Sequence, residues 1–438
     1  MSLRGLLVLL VLLAAVAFAL FRLRGAKEET EAQAEETPLI AAFDDAKVRS
    51  ITTGCDDAAY VLRRAGAESW VLEGPKVSEA DPREVARLLD VLRGARVHKV
   101  IAGAGAGDAG FGLAPERCSV RLEIEGEPAG RRLAIGATSP VGYERYARGA
   151  DGSVVFVDGS LYTAIARPPD AFRERRLLPL DPSSVSRLVI ERPAGRVVLA
   201  RAGSAWRLEE PVQDAADRVE AERAVEAATS LEIEHGVAPR QPVDAAPSRR
   251  IALRANAHTA YVAAAGVEGK RLAWRKGGDT IGLVPESSLA DLDRPASAFR
   301  DRQVLSFSTP DVRRVVVTRG GAALALARAS EKDPWTGQDG AEPQAPVDGT
   351  RVTALLDRLR GVRATAVEDG APPTAPTGTV VVSGAPGEIA RATWGPLSPG
   401  DGEEAVWVTI PGRAGVYFRV PASSFGPMPS GRKDLAAP

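Results

Sequence analysis

The sequence predicts an α+β protein: an N-terminal transmembrane helix followed by three tandem units, each a mainly antiparallel β-sheet with one amphipathic helix on a face. Three observations predict it. The stretch "AFRERRLLPL" from Ala171 returns as "AFRDRQVLSF" from Ala298, and each leads into a valine-rich run, "VSRLVI" and then "VRRVVV". Trp70, Leu72, Pro75 and Asp81 recur in the same spacing as Trp206, Leu208, Pro211 and Asp217. Residues 5–21, "GLLVLLVLLAAVAFALF", carry no charge.

That apolar run is bracketed by Arg4 and Arg22. As a helix it is about 26 Å long, enough to span hydrocarbon with the flanking arginines snorkelling. The favoured reading of residues 1–25 is an uncleaved anchor, because apolar residues continue through Phe18, Leu20 and Phe21. The alternative is a secretory signal cut after Ala17 or Ala19. Arg22, Arg24 and Lys27 oppose a simple positive-inside assignment, but the short N-terminal tail and the lack of a second apolar span favour export of the C-terminal part. Residues 26–42, beginning "AKEETEAQAEET", read as an acidic tether with little to pack.

The three units are expected at 43–180, 181–307 and 308–438. Each centres on one helix. In the first, Asp81 suits the N-cap, Pro82 the first helical position and Gly94 the C-terminal end. Val85, Leu88, Leu89 and Leu92 between them form one apolar stripe. The third copy has Asp348 as N-cap and the stripe Val352, Leu355, Leu356 and Leu359. The second is weaker, with Ala221, Ala224, Val225 and Ala228. Short alternating runs such as "AYVLRR", "RVVLAR" and "ALALAR" precede each helix, and others such as "SVRLEI", "RIALRA" and "TVVVSG" follow. Alternation suits half-buried antiparallel strands.

The chain has 438 residues, 45% apolar and 26% charged, with a net charge of −1. It therefore has no global positive field for nucleic acid. The two cysteines, Cys55 and Cys118, form no CxxC. Two unpaired thiols in strands is the favoured reading and a single bridge the alternative, since linear spacing supplies no bridge geometry. Three histidines, His98, His235 and His258, are too few and too scattered to suggest a metal centre. No GxxxxGK[ST], GxSxG or HExxH motif occurs. Gly105-x-Gly107-x-x-Gly110 matches a dinucleotide fingerprint, but Pro115 and a strand follow where a helix is required, so it reads as a linker. No cofactor is expected. Trp70, Trp206 and Trp335, one per unit, read as core plugs rather than binding platforms.

The repeated stretches are joints, each ending one unit and leading into the next. Phe172 and Phe299 are expected to anchor in the preceding unit. Arg173, Arg175, Arg300 and Arg302 lie along an extended segment with Glu174 and Asp301 as ion-pair partners. A solvated connector is the favoured reading. The functional reading is that these arginines grip an anionic partner, which makes the six joint residues the candidate partner site.

The apolar leader, "SWVLEGPKVSEADPREVARLLDVLRG", "FGLAPERCSVRLEI", "LAIGATSPVGYERYAR" and the echoes "AWRLEEPVQDAADRVEAERAV" and "AFRDRQVL" together resemble the bacterial envelope family called domain of unknown function 4340. The second unit departs from that pattern in lacking an "FGL" segment, and the third carries an insertion, "SEKDPWTGQDGAEPQ". The resemblance implies a single-pass protein of the bacterial inner membrane with its bulk in the periplasm, no assigned activity, and association with an ABC-type transporter permease or another envelope protein. The expectation is thus a non-enzymatic, membrane-anchored protein whose modules contact a partner. The alternative is an envelope-polymer hydrolase with its site between units.

Overall fold

Three antiparallel sheets of nine strands follow one another along the chain. The computed structural model describes residues 37–438, apart from 56–57, 75–76, 104–107, 141, 237–248, 277–280, 398–403, 426 and 437–438. The apolar run 5–21 and most of the expected tether lie outside the described residues. Among the described residues no helix is long and apolar enough to cross a membrane.

The first sheet contains β1 (Val48–Cys55), β2 (Ala58–Arg64), β3 (Trp70–Glu73) and β4 (Ser78–Ala80). Helix α1 (Pro82–Gly94) leads to β5 (Lys99–Ala102). Then come β6 (Cys118–Ile124), β7 (Glu127–Thr138), β8 (Arg145–Arg148), β9 (Val154–Val157) and the closing helix α2 (Gly159–Ile165). Their order across the sheet is β4-β3-β2-β1-β6-β7-β8-β9-β5.

The second sheet contains β10 (Arg187–Arg192), β11 (Gly195–Ala202), β12 (Ala205–Glu210) and β13 (Asp214–Ala215), then α3 (Arg218–Thr229). It continues with β14 (Glu234–Gly236), β15 (Arg249–Ala255), β16 (His258–Val267), β17 (Lys270–Arg275) and β18 (Ile281–Pro285). The third contains β19 (Arg314–Arg319), β20 (Ala322–Ala327), β21 (Thr336–Asp339) and β22 (Ala345–Pro346), then α4 (Gly349–Gly361). It ends with β23 (Ala366–Asp369), β24 (Gly378–Gly384), β25 (Gly387–Pro396), β26 (Ala405–Thr409), β27 (Val416–Pro421) and the short helix α5 (Ala422–Phe425). Position for position, the second and third sheets have the strand order of the first. By packing the chain falls into two compact units, Met1–Arg175 and Arg176–Pro438, the latter holding two sheets.

The helices form where the stripes and caps predict. Asp81 accepts from Arg83 N, Asp217 from Val219 N and Asp348 from Thr350 N, each satisfying an orphan donor of the first turn. The buried residues of α1 and α4 are the four of each predicted stripe. The weaker stripe of α3 is buried with Thr229 added. Each helix covers one sheet face and joins its own hydrophobic cluster.

The entry into each sheet is also repeated. Leu39 and Ile40 belong to the first core, Leu177 and Leu178 to the second, and Val304 and Leu305 to the third. The first of each pair donates its N–H to the residue just past the helix: Leu39 to Ala95 O, Leu177 to Leu231 O, Val304 to Val362 O. Thus the tail of the expected tether is packed before residue 43, and each joint passes into the following core a few residues before positions 181 and 308. Burying an apolar pair at the point of entry is the physical reason.

Because β5 lies at the sheet edge and β6 at its centre, the chain between them must cross β9, β8 and β7 on the face opposite α1. Phe111, in that crossing, stacks on Tyr146, which stacks on Phe156, at 4.8 and 4.9 Å between ring centroids. In the third sheet the same crossing brings Thr374 Oγ1 to accept from Trp407 Nε1 at 2.6 Å. The part of the glycine-rich stretch that is described forms a short turn, Ala109–Phe111, before β6.

The expectation of unpaired thiols is corrected. Cys55 and Cys118 face each other in register on β1 and β6, with Cα atoms 3.9 Å apart, and their sulfurs are bonded. Strand register supplies the proximity that the spacing of 63 residues conceals.

Candidate functional site at the joints

Each tryptophan slot is filled by a buried side chain: Trp70, Trp206 and Trp335 all belong to the cores. An arginine covers each ring, Arg64, Arg201 and Arg328, at 4.4, 4.6 and 4.8 Å from the centroid. Each also ties back to the start of its sheet, donating from Nε to Val48 O, Val185 O and Val312 O. These arginines close the second strand of each unit a few residues before the tryptophan. That recurring position was the available signal, and it went unread in the sequence.

The joints begin with the predicted anchors. Phe172 and Phe299 are fully buried in the first and second cores. Asp81 donates its N–H to Phe172 O and Asp217 donates its own to Phe299 O, at 2.8 Å in both cases. The N-cap residue of each unit thus receives the joint that ends it. In the third unit Leu435 takes the phenylalanine position, and its carbonyl accepts from Asp348 N at 2.9 Å.

The four joint arginines separate in role. Arg173 pairs with Asp170 at 2.5 Å and Arg175 donates to Asp170 O at 3.2 Å, both at accessible positions. Arg302 is half-buried, and its backbone carbonyl accepts from Ala364 N. Arg300 is 4% exposed, which corrects its assignment as a residue that grips an external anion. Asp301 differs from the expected ion-pair partner too: its carboxylate accepts from Gln303 N at 2.9 Å.

Around Arg300 lies a charge cluster inside the second compact unit, buried at Asp214, Arg300 and Arg413 and open at its margin. Arg300 Nε donates to Asp214 Oδ2 at 2.7 Å, and Arg413 Nη2 donates to the same oxygen at 2.5 Å. Arg300 also reaches Val367 O at 3.2 Å and Asp369 at 3.0 Å, both on the edge strand β23. Arg413 Nη1 donates to Asp301 O at 2.6 Å. Beside it, the N-cap Asp217 pairs with Arg363 at 2.5 Å. Three aspartates therefore meet three arginines, with Asp214, Asp217 and Arg300 from the second repeat and Arg363, Asp369 and Arg413 from the third. Burial pushes the Asp214 carboxyl up, but the Arg413 and Arg300 hydrogen bonds and charges outweigh it and hold it below the usual carboxylate range. An aspartate clamped this way stays ionised at neutral pH and cannot serve as a general acid.

Sequence reasoning found Arg300 but missed Asp214, Asp369, Arg363 and Arg413. No local pattern marks them, since Asp214 and Arg413 are 199 residues apart. His98 contacts Glu144 at 3.2 Å on a part-exposed surface. Among the described residues no group of three or more His, Cys, Asp or Glu is placed to hold a metal ion.

The family model described as domain of unknown function (DUF4340) matches residues 70–251 and 258–379. This chain belongs to that family. The matched segments of this DUF4340 protein run from the first tryptophan slot into the third sheet and span both joints. No curated protein matches it. Similar solved structures include a DNA polymerase sliding clamp from Pseudomonas aeruginosa, at 8% identity over 90% of this chain and 95% of that one, with a TM-score of 0.16. Another is the Caulobacter crescentus pol III beta chain, at 9% identity over 91% and 97%, also with a TM-score of 0.16. Scores this low carry no argument about fold or function.

Proposed function

We propose that this DUF4340 protein is a non-enzymatic, membrane-anchored envelope protein whose repeated modules contact a partner, as an accessory component of an ABC-type transporter. The Cys55–Cys118 bond carries the reading of its address, because structural disulfides persist in oxidising compartments such as the periplasm. The charge-free run 5–21 supports an inner-membrane anchor ahead of the exported modules. Three modules in one chain support multivalent contact, in which weak sites combine. With Arg300 buried, the part-exposed Arg173, Arg175 and Arg302 are the joint residues open to an anionic partner.

Affinity purification of the full chain from detergent-solubilised membranes tests this reading. Recovery of a transporter permease, reduced by joint substitution of Arg173, Arg175 and Arg302 with alanine, supports it. Recovery of no partner, together with measurable turnover of an envelope polymer, overturns it in favour of a hydrolase.

A further inference from the structure

The chain enters the first and third sheets through the same contacts. Leu39 donates its N–H to Ala95 O, and Val304 donates its own to Val362 O. Pro38 bridges to Arg96 as Gln303 does to Arg363. Val97 donates to Thr37 O and Ala364 to Arg302 O, at 2.9 Å in both cases. His98 then donates to Phe156 O on β9, and Thr365 to Arg419 O on β27. The edge strands β5 and β23 therefore follow their entries in one register.

In the third sheet the lead-in runs on along that edge. Arg300, two residues before Arg302, reaches Val367 O at 3.2 Å and the Asp369 carboxylate at 3.0 Å. In the first sheet the described chain begins at residue 37. Counted back from the shared contacts, Glu36 and Glu35 fall at the places of Asp301 and Arg300. The edge changes sign with the lead-in. Lys99 stands where β23 begins with Ala366, and Ala102 stands where β23 ends with Asp369. Arg96 stands at the place of Arg363, whose carboxylate comes from Asp217 of the second repeat at 2.5 Å. Arg96 itself is exposed, and its Nη1 donates to Arg93 O and Ala95 O. Among the described residues it has no acidic partner.

We propose that residues 33–36, "QAEE", dock along the outer edge of β5, with Glu35 and Glu36 pairing with Lys99 and Arg96. Three observations select this occupant. The antiparallel run of 37–39 against 95–97 already points the chain at that edge, the third sheet shows a lead-in of the same register in place, and the charges are complementary. Docking would cover a sheet edge otherwise open to pairing with another chain. It would also shorten the tether by four residues and fix the direction from which the chain approaches the first sheet. The proposal depends neither on the reading of the joints nor on that of residues 5–21.

Hydrogen–deuterium exchange of the detergent-solubilised full chain, read by mass spectrometry, tests it. Residues 33–36 should exchange at least about tenfold more slowly than residues 26–31. Arg96→Glu with Lys99→Glu should reduce that protection about fivefold or more, and adding Glu35→Lys with Glu36→Lys should restore it. Exchange of α1 checks that the first sheet stays folded in each variant. Raising the salt of the unsubstituted protein to about 1 M should loosen residues 33–36 and leave α1 unchanged, which keeps the test decisive if a variant misfolds. Unprotected residues 33–36, protection indifferent to charge reversal or to salt, or failure of the reversed pairs to restore it would each overturn the assignment. Protection that grows with protein concentration would place a second copy at the edge and overturn it as well.

Discussion

Asp214 and Arg300 meet at 2.7 Å with 5% of each side chain exposed, one from the edge strand β13 and the other from the joint that ends the same repeat. Arg413 adds a second guanidinium to the same oxygen. Removing the carboxylate strands two buried cations, which is far costlier than losing a surface ion pair. Asp214→Ala is expected to destabilise the second compact unit by about 3–5 kcal/mol, read by chemical denaturation. Arg173→Ala, at an accessible pair, should change stability by less than about 1 kcal/mol. Equal effects of the two substitutions would refute the distinction.

The Asp214 pair also sets a pH dependence. Its carboxyl titrates below the ordinary value in the folded chain, so the unfolded chain takes up the proton first as pH falls. The contribution is complete above the unfolded carboxylate pKa of about 4 and disappears as pH drops through the lower folded value. Thermal melts between neutral pH and pH of about 3 should show an acid-side decline that is shallower in Asp214→Asn. Parallel profiles would count against it.

The Cys55–Cys118 bond ties the two halves of the first sheet together across a sequence separation of 63 residues. Cross-linking restricts the unfolded chain, and its loss is expected to cost about 2–4 kcal/mol. Reductant should lower the melting temperature of the first unit, and the Cys55→Ser/Cys118→Ser variant should already melt at that lower temperature without responding to reductant. A reductant-sensitive melt in the double variant would point to another cause.

Gly378 is required by a close approach: a Cβ there would lie 2.2 Å from the Trp394 ring and 2.8 Å from Thr318 O. Gly378→Ala must displace the indole or the strand, and overpacking of this kind costs about 1–3 kcal/mol. The expected result is a lower denaturation midpoint for the third sheet. An unaltered midpoint would mean that Trp394 has room to move.

The sequence by itself determined what is written over short spacings. Asp81, Asp217 and Asp348 as caps, the apolar stripe of each helix, and Phe172 and Phe299 as anchors depend on neighbours within a turn or a strand, so their pattern is visible in the linear chain. Repetition made the three sheets legible for the same reason, since the same local signals return at near-constant distances. The tertiary structure alone decided which distant residues meet. Strand register joined Cys55 to Cys118, and chain topology brought Arg413 to Asp214 across 199 residues. Strand pairing likewise set Gly378 against Trp394, whose ring leaves no room there for a side chain. These outcomes depend on pairing across the sheet and on volume left between side chains, and neither quantity is encoded by the spacing of residues along the chain.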